Sequence, residues 1–183
     1  MRWGVVVGAV LACFFGLAVP ARAGTPIVLD PLLNGLLPTC YGSKSFDQFR
    51  RSVAARHGYD STGKRVNPNA PIAVPATIAP ALGSITAKNK GDYTEVIVPV
   101  SGKFRSLPVA AIEFAFGNEN GINVTTIRFA ESKSEVNKVL GKDIRTASRL
   151  IKQRVQAGET GADQSVTLEE KDGQTRLFCD TSN

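Results

Sequence analysis

Two cysteines near opposite ends of the chain constrain the fold more than any other feature. Cys40 and Cys179 lie 139 positions apart, so a bond between them would close most of the chain into one loop. The chain-entropy model assigns such a loop roughly 5 kcal/mol of stabilisation as an upper estimate. Disulfides persist mainly in oxidising spaces outside the cytosol. The prediction of a bond therefore depends on where the protein is located.

The amino-terminal 23 residues have the three parts of a secretory signal peptide. Arg2 gives a positive start, the stretch from Gly4 to Val19 carries no charge, and Ala21-Arg22-Ala23 offers small residues for cleavage before residue 24. We therefore expect a periplasmic or secreted bacterial protein, cut near Ala23. A retained membrane anchor and a lipoprotein modified at Cys13 are the alternatives.

Cleavage would also remove Cys13, leaving Cys40 and Cys179 as an even pair. In an oxidising compartment this pair predicts one disulfide, and two buried free thiols are the alternative. The mature chain, 24–183, is long enough for one domain with its own hydrophobic core. Hydrophobic content of 43% and charged content of 21% exclude a disordered chain. After the leader, no apolar run is long enough to span a bilayer.

Helix signals occur twice in the mature chain. A capping box at Ser45 and Gln48 precedes an apolar stripe formed by Phe46, Phe49, Val53 and His57, and Gly58 marks a stop. A second box begins at Ser132 and predicts a short helix that ends at Gly141. For residues 143–157 the pattern leaves helix and strand open, with helix the better fit.

Strand signals predict two hairpins. One joins Val109–Phe116 to Ile122–Ala130 through the turn at residues 117–121, and the other has Asp172-Gly173 at its tip. Residues 93–100 predict a further strand, in which Pro99 indicates an edge or an end. Together the signals predict an α+β domain with an antiparallel sheet of about four to six strands and two or three helices.

Residues 66–87 are uncharged and contain four prolines, which exclude a continuous helix and a central strand. We expect a Pro-rich loop there. One interpretation is a recognition strap for a partner. The other is a surface loop whose apolar side chains, at Ile72, Val74, Ile78 and Leu82, cover the core.

The charge is unevenly distributed. The net charge is +6, which falls to +4 without Arg2 and Arg22. Basic residues concentrate in 42–65 and 143–157, and the candidate anion-binding residues are Arg50, Arg51, Arg145, Arg149 and Lys152. An ordinary solvated surface is the alternative. The sequence contains no nucleic-acid-binding motif.

Candidate catalytic groups are few. His57 is the only histidine, and its place on the apolar stripe of a helix favours a structural role. One histidine and two bridged cysteines do not predict a zinc site, and no cofactor motif occurs. Glu113 stands between Ala111 and Ala115, where small residues beside an acid can mark a cleft. Glu119 follows in the hairpin loop, so a hydrolase that uses this pair of carboxylates is one hypothesis.

These patterns favour an exported, non-enzymatic cell-envelope protein that binds another macromolecule, such as an inhibitor, immunity or adaptor protein. The expected contact elements are the Pro-rich loop and the hairpin tip at residues 117–121. The alternatives are a peripheral binder of anionic lipid or wall polymer, and the carboxylate-dependent hydrolase. No cofactor is expected, and the partner is an envelope protein or an anionic surface.

Overall fold

The computed structural model describes residues 26–58, 64–118, 120–159 and 164–182. The predicted signal peptide lies outside these ranges. The described elements follow this order along the chain: β1 (Ile27–Val28), α1 (Asp30–Leu33), α2 (Leu36–Thr39), α3 (Lys44–His57), β2 (Thr86–Asn89), β3 (Tyr93–Phe104), β4 (Leu107–Gly117), β5 (Asn123–Phe129), α4 (Lys133–Gln156), β6 (Ser165–Lys171) and β7 (Gln174–Asp180).

The strands form one seven-stranded sheet in the order β1-β3-β4-β5-β7-β6, with β2 also paired to β3. All pairs are antiparallel except β1 with β3. The predicted α+β class is confirmed, and the strand count is slightly above the expected range. The excess comes from short edge strands such as the two-residue β1, which is too brief to leave an alternating pattern in the sequence.

Both predicted hairpins are present, as β4–β5 and β6–β7. In the second, Asp172 and Gly173 have φ of 54° and 70°, the positive values that a two-residue type I′ turn requires. A third hairpin, β3–β4, turns at Arg105 and Ser106, which also have positive φ. Neither arginine nor serine commonly adopts a positive φ. The turn is held instead by tertiary contacts: the Asp30 carboxylate accepts the Arg105 backbone N–H at 3.2 Å, and the Arg105 guanidinium pairs with Asp143.

Pro99 lies inside a twelve-residue strand, although the sequence predicts an edge or an end there. It is tolerated because it stands where the pairing of β3 changes. β2 pairs with β3 up to Ile97, β1 begins to pair at Gly102, and the register with β4 shifts between Pro99 and Gly102. A proline has no N–H to donate, and bulges are where a sheet accepts that loss.

The two long helices have serine caps. For α3 the cap is Ser43 rather than Ser45, and its hydroxyl accepts the Phe46 N–H at 3.2 Å. The helix ends before Gly58 as predicted. The cap at Ser132 is confirmed for α4, but this helix runs through Gly141 to Gln156, so residues 143–156 are helical. Its apolar stripe continues past the glycine, and burial of that stripe outweighs the cost of about 1 kcal/mol for a helical glycine.

The long helices pack on one face of the sheet. From α3, Phe46 and Phe49 contact Phe114 of β4, with ring centroids 6.1 and 5.9 Å apart. From α4, buried residues including Leu140 and Ile151 join the same core. Within 66–87, Ile78 is fully buried, and Ile72, Val74 and Leu82 pack against this core. The fold is therefore two-layered, with its apolar interior between helices and sheet.

A disulfide joins Cys40, the residue after α2, to Cys179 in β7. The Cα atoms are 5.4 Å apart, within the usual range for such a bond. Both residues are buried. The predicted disulfide is thus present. None of the described helices is long and apolar enough to cross a membrane.

Candidate functional site

The face of the sheet opposite the helices contains a cavity of about 290 Å³. Side chains alternate between the two faces of a strand, so Glu113 and Ala115 point away from the core that receives Ile112 and Phe114. The remaining apolar walls come from three neighbouring strands and the loop before β5: Tyr93, Ile122, Val124 and Phe178. This open sheet face is the candidate functional site.

Charged side chains surround the apolar walls. Glu113 forms an ion pair with Arg128 at 3.0 Å, and only 17% of the Glu113 side chain and 23% of the Arg128 side chain are exposed. Glu95 pairs with Lys90 at 3.3 Å. Glu169 and Lys171 also line the cavity, from the edge strand β6. The site therefore offers apolar surface together with both signs of charge.

Two arginines face each other across β5 and β7 on this face. Arg128 and Arg176 are directly paired in the register, an arrangement that is normally unfavourable for like charges. Arg128 is neutralised by Glu113, and Arg176 lies 3.6 Å from the exposed Asp172. The Nε atoms of both arginines are buried without a hydrogen-bond partner in the part of the chain that the structure describes. Buried donors without a partner cost stability, so this pair of arginines is an unusual feature beneath the open sheet face.

The sequence analysis identified one part of this site. Glu113 lines the cavity beside Ala115, while its proposed partner Glu119 lies outside the described residues. Arg128 and Arg176 were missed. Each is polar at an outward position of a predicted strand, but only the pairing of β5 with β7 places them opposite each other. The sequence pattern does not specify that register.

His57 lies at the end of α3, in a surface hollow with Arg56, Ile72 and Ile85, and it does not line the cavity. Burial lowers the pKa of His57, and the neighbouring charges of Arg56 and Arg65 lower it further. Its neutral form is therefore favoured at pH 7.

The five predicted anion-binding residues divide between two helices. On α3, Arg50 and Arg51 both bind Asp47, at 3.0 and 2.7 Å, and Arg50 also donates to Asn123 in β5. Burial raises the pKa of Asp47, but the hydrogen bonds from these two arginines outweigh it, so the pKa is lowered. Arg145, Arg149 and Lys152 are exposed on α4. That helix therefore carries the unneutralised part of the predicted set.

Within the described ranges, no group of three His, Cys, Asp or Glu side chains could hold a metal ion. The cavity residues instead provide hydrogen-bond donors, carboxylates and aromatic surface, which suit recognition of a group that is part apolar and part polar. Comparisons with protein-family models, with curated proteins and with solved structures give no match to this chain.

Proposed function

We propose that the chain is an exported, non-enzymatic protein of the cell envelope that binds another macromolecule through the open sheet face. The observation that carries this proposal is the cavity itself, in which apolar side chains such as Val124 and Phe178 lie beside charged ones of both signs, including Glu113 and Arg176. Export is supported by the sequence of the leader and is consistent with the Cys40–Cys179 disulfide.

The size of the cavity favours a projecting group of a partner over a whole cofactor. At about 290 Å³ it lies just below the range of roughly 300–1,000 Å³ that is typical of small-molecule pockets. A single apolar side chain with its flanking backbone would fit such a space. Interface hot spots have this form: an anchor in a pocket, surrounded by polar contacts.

Hydrogen bonds connect the described residues at one end of the cavity. The hairpin after β4 is closed by the Gly117 N–H, which donates to the Ile122 carbonyl at 2.7 Å. Asn118 connects this hairpin to the preceding turn, since its backbone N–H donates to the Asp92 carbonyl at 3.0 Å and its side-chain oxygen accepts from Thr94 at 3.1 Å. A rim held in place before binding loses little conformational entropy when a partner docks.

A catalytic role for Glu113 has less support. Its carboxylate is engaged by Arg128, and the side chain is mostly buried. A general acid or base must reach the proton that it transfers. The ion pair instead suits a structural role, in which Glu113 balances the charge of Arg128.

The test uses one filling substitution and a matched control on the same strand. Ala115→Trp would occupy the cavity, whereas Ala110→Trp adds the same ring at an exposed position of β4. Each protein is immobilised and exposed to a cell-envelope extract, and the bound proteins are identified by mass spectrometry. We expect a specific protein to be recovered with the wild type and with Ala110→Trp. Ala115→Trp should bind it at least about thirtyfold more weakly, since loss of a hot-spot contact costs about 2 kcal/mol or more.

Recovery of the same proteins, in the same amounts, with the wild type and both variants would contradict the use of the cavity. Recovery of nothing specific by the wild type would contradict the binding function. Circular dichroism of each variant checks that the added ring has not unfolded the sheet.

A further inference from the structure

We propose that one face of α4 is a docking surface for an anionic phospholipid membrane. The docking residues are Lys142, Arg145, Arg149 and Lys152, here called the basic row. This inference goes beyond the proposed function, because it concerns the other side of the molecule and a different class of partner.

The spacing of the basic row places its members on a single side of the helix. Successive members are three or four residues apart, the separation of neighbours on a helical surface. The ends of the row are ten residue steps apart, about 15 Å at 1.5 Å per step. The buried positions of α4, including Val136, Leu140, Ile144, Ala147 and Ile151, occupy the opposite side. The row therefore faces away from the core.

The charges of the basic row are not neutralised by the protein. All four side chains are exposed, and none forms an ion pair with an acidic group in the described ranges. The two acids of α4 are engaged elsewhere: Glu135 binds Lys138, and Asp143 binds Arg105. Basic side chains on a stable fold usually alternate with acids. An unbroken row of one sign is complementary to a polyanion.

The shape of this surface favours a membrane over a single polymer chain. α4 contains no aromatic residue that could stack on a sugar ring. The hollows beside the row are lined only by residues of α4 itself. No second element of the described structure therefore forms a wall of these hollows that could enclose a polymer chain. A convex helix with a straight row of cations instead suits a plane of phosphate groups. Each lysine or arginine near an anionic membrane strengthens binding by about fivefold.

The experiment measures sedimentation of the purified protein with lipid vesicles. One vesicle contains phosphatidylglycerol and phosphatidylcholine in equal parts, and the other contains phosphatidylcholine alone. The variant Arg145→Glu/Arg149→Glu reverses two charges of the basic row. Its control, Lys88→Glu/Lys103→Glu, makes the same change in net charge at exposed residues of the sheet.

We expect binding to the anionic vesicles that weakens as salt is added, because screening shortens the range of the attraction. Reversal in the basic row should weaken binding by at least about 25-fold, which is two contributions of about fivefold each. The control should weaken it much less. The proposal is overturned if the wild type does not bind, if it binds both vesicles equally, if the two double variants lose binding equally, or if the protein binds purified wall sacculi but not the anionic vesicles.

Discussion

At the scale of single residues, we expect the ion pair between Glu113 and Arg128 to contribute to the stability of the open sheet face. Both side chains are more than three-quarters buried, and Arg128 faces a second arginine on β7. Removing only the acid would leave two facing cations with the exposed Asp172 as their nearest counter-ion. The penalty for breaking such a pair lies between that of an exposed and that of a fully buried pair.

We therefore predict that Glu113→Gln lowers the free energy of unfolding by about 2 kcal/mol. The double variant Glu113→Gln/Arg128→Gln should recover part of this loss, because the uncompensated charge is also removed. Urea denaturation of Glu113→Gln, Arg128→Gln and the double variant measures the coupling. Glu170→Gln, at an exposed position of β6, is the control and should change little. If Glu113→Gln and Glu170→Gln changed the free energy of unfolding equally, the pair between Glu113 and Arg128 would not be stabilising.

The residues of the site also show which of its features can be predicted from the sequence. Glu113 could be recognised because small neighbours on an alternating strand are a local pattern. The pairing of Arg128 with Arg176 could not, since it depends on a register between strands separated by the whole of α4. Local patterns specify which side of a strand a residue occupies, but not which residue lies opposite it.

At the scale of elements, α4 shows why local stop signals can fail. Gly141 was predicted to end a helix, yet the helix continues because its apolar stripe remains buried on both sides of the glycine. The hairpins at Gly117–Gly121 and Asp172-Gly173 were predicted correctly, because the flanking strand patterns and the turn residues are both local signals. The β3–β4 turn was missed because its contacts, from Asp30 and Asp143, come from distant parts of the chain.

Two glycine substitutions on α4 and its end should have opposite effects on stability. A Cβ added at Gly141 would lie 2.5 Å from the Asn137 Oδ1 atom and 3.1 Å from an Arg145 Nη atom, both at the ends of exposed side chains that can move. Gly141→Ala should therefore gain up to about 1 kcal/mol from helix propensity. Gly158 has open space around it but a φ of +70°, so Gly158→Ala should lose about 1 kcal/mol.

Thermal unfolding of the two alanine variants measures both effects under the same conditions. A lower melting temperature for Gly141→Ala would show that Asn137 and Arg145 cannot move aside. An unchanged value for Gly158→Ala would show that the helix end adapts its backbone. The first result would identify a steric clash at Gly141, and the second would show that the positive φ at Gly158 does not limit stability.

At the scale of the whole molecule, the two proposed surfaces lie on opposite sides of the two-layered fold. The basic row faces outward from the helical layer, and the cavity lies on the open face of the sheet. A molecule docked on a membrane through α4 would thus present the cavity away from the lipid. The two proposals can therefore fail independently, because neither set of residues contributes to the other surface.

The Cys40–Cys179 disulfide connects the amino-terminal helices to β7 and so closes nearly all of the described chain into one loop. We predict that Cys40→Ala/Cys179→Ala lowers the free energy of unfolding by up to about 5 kcal/mol, chiefly because the unfolded chain regains the freedom that the bond removes. Urea denaturation with and without a reducing agent measures this difference. The reducing agent should destabilise the wild type by a similar amount and leave the double variant unchanged. If full reduction of its cysteines left the stability of the wild type unchanged, the prediction would be wrong. Packing of the buried residues around α1 and α2 alone would then hold the amino-terminal segment in place.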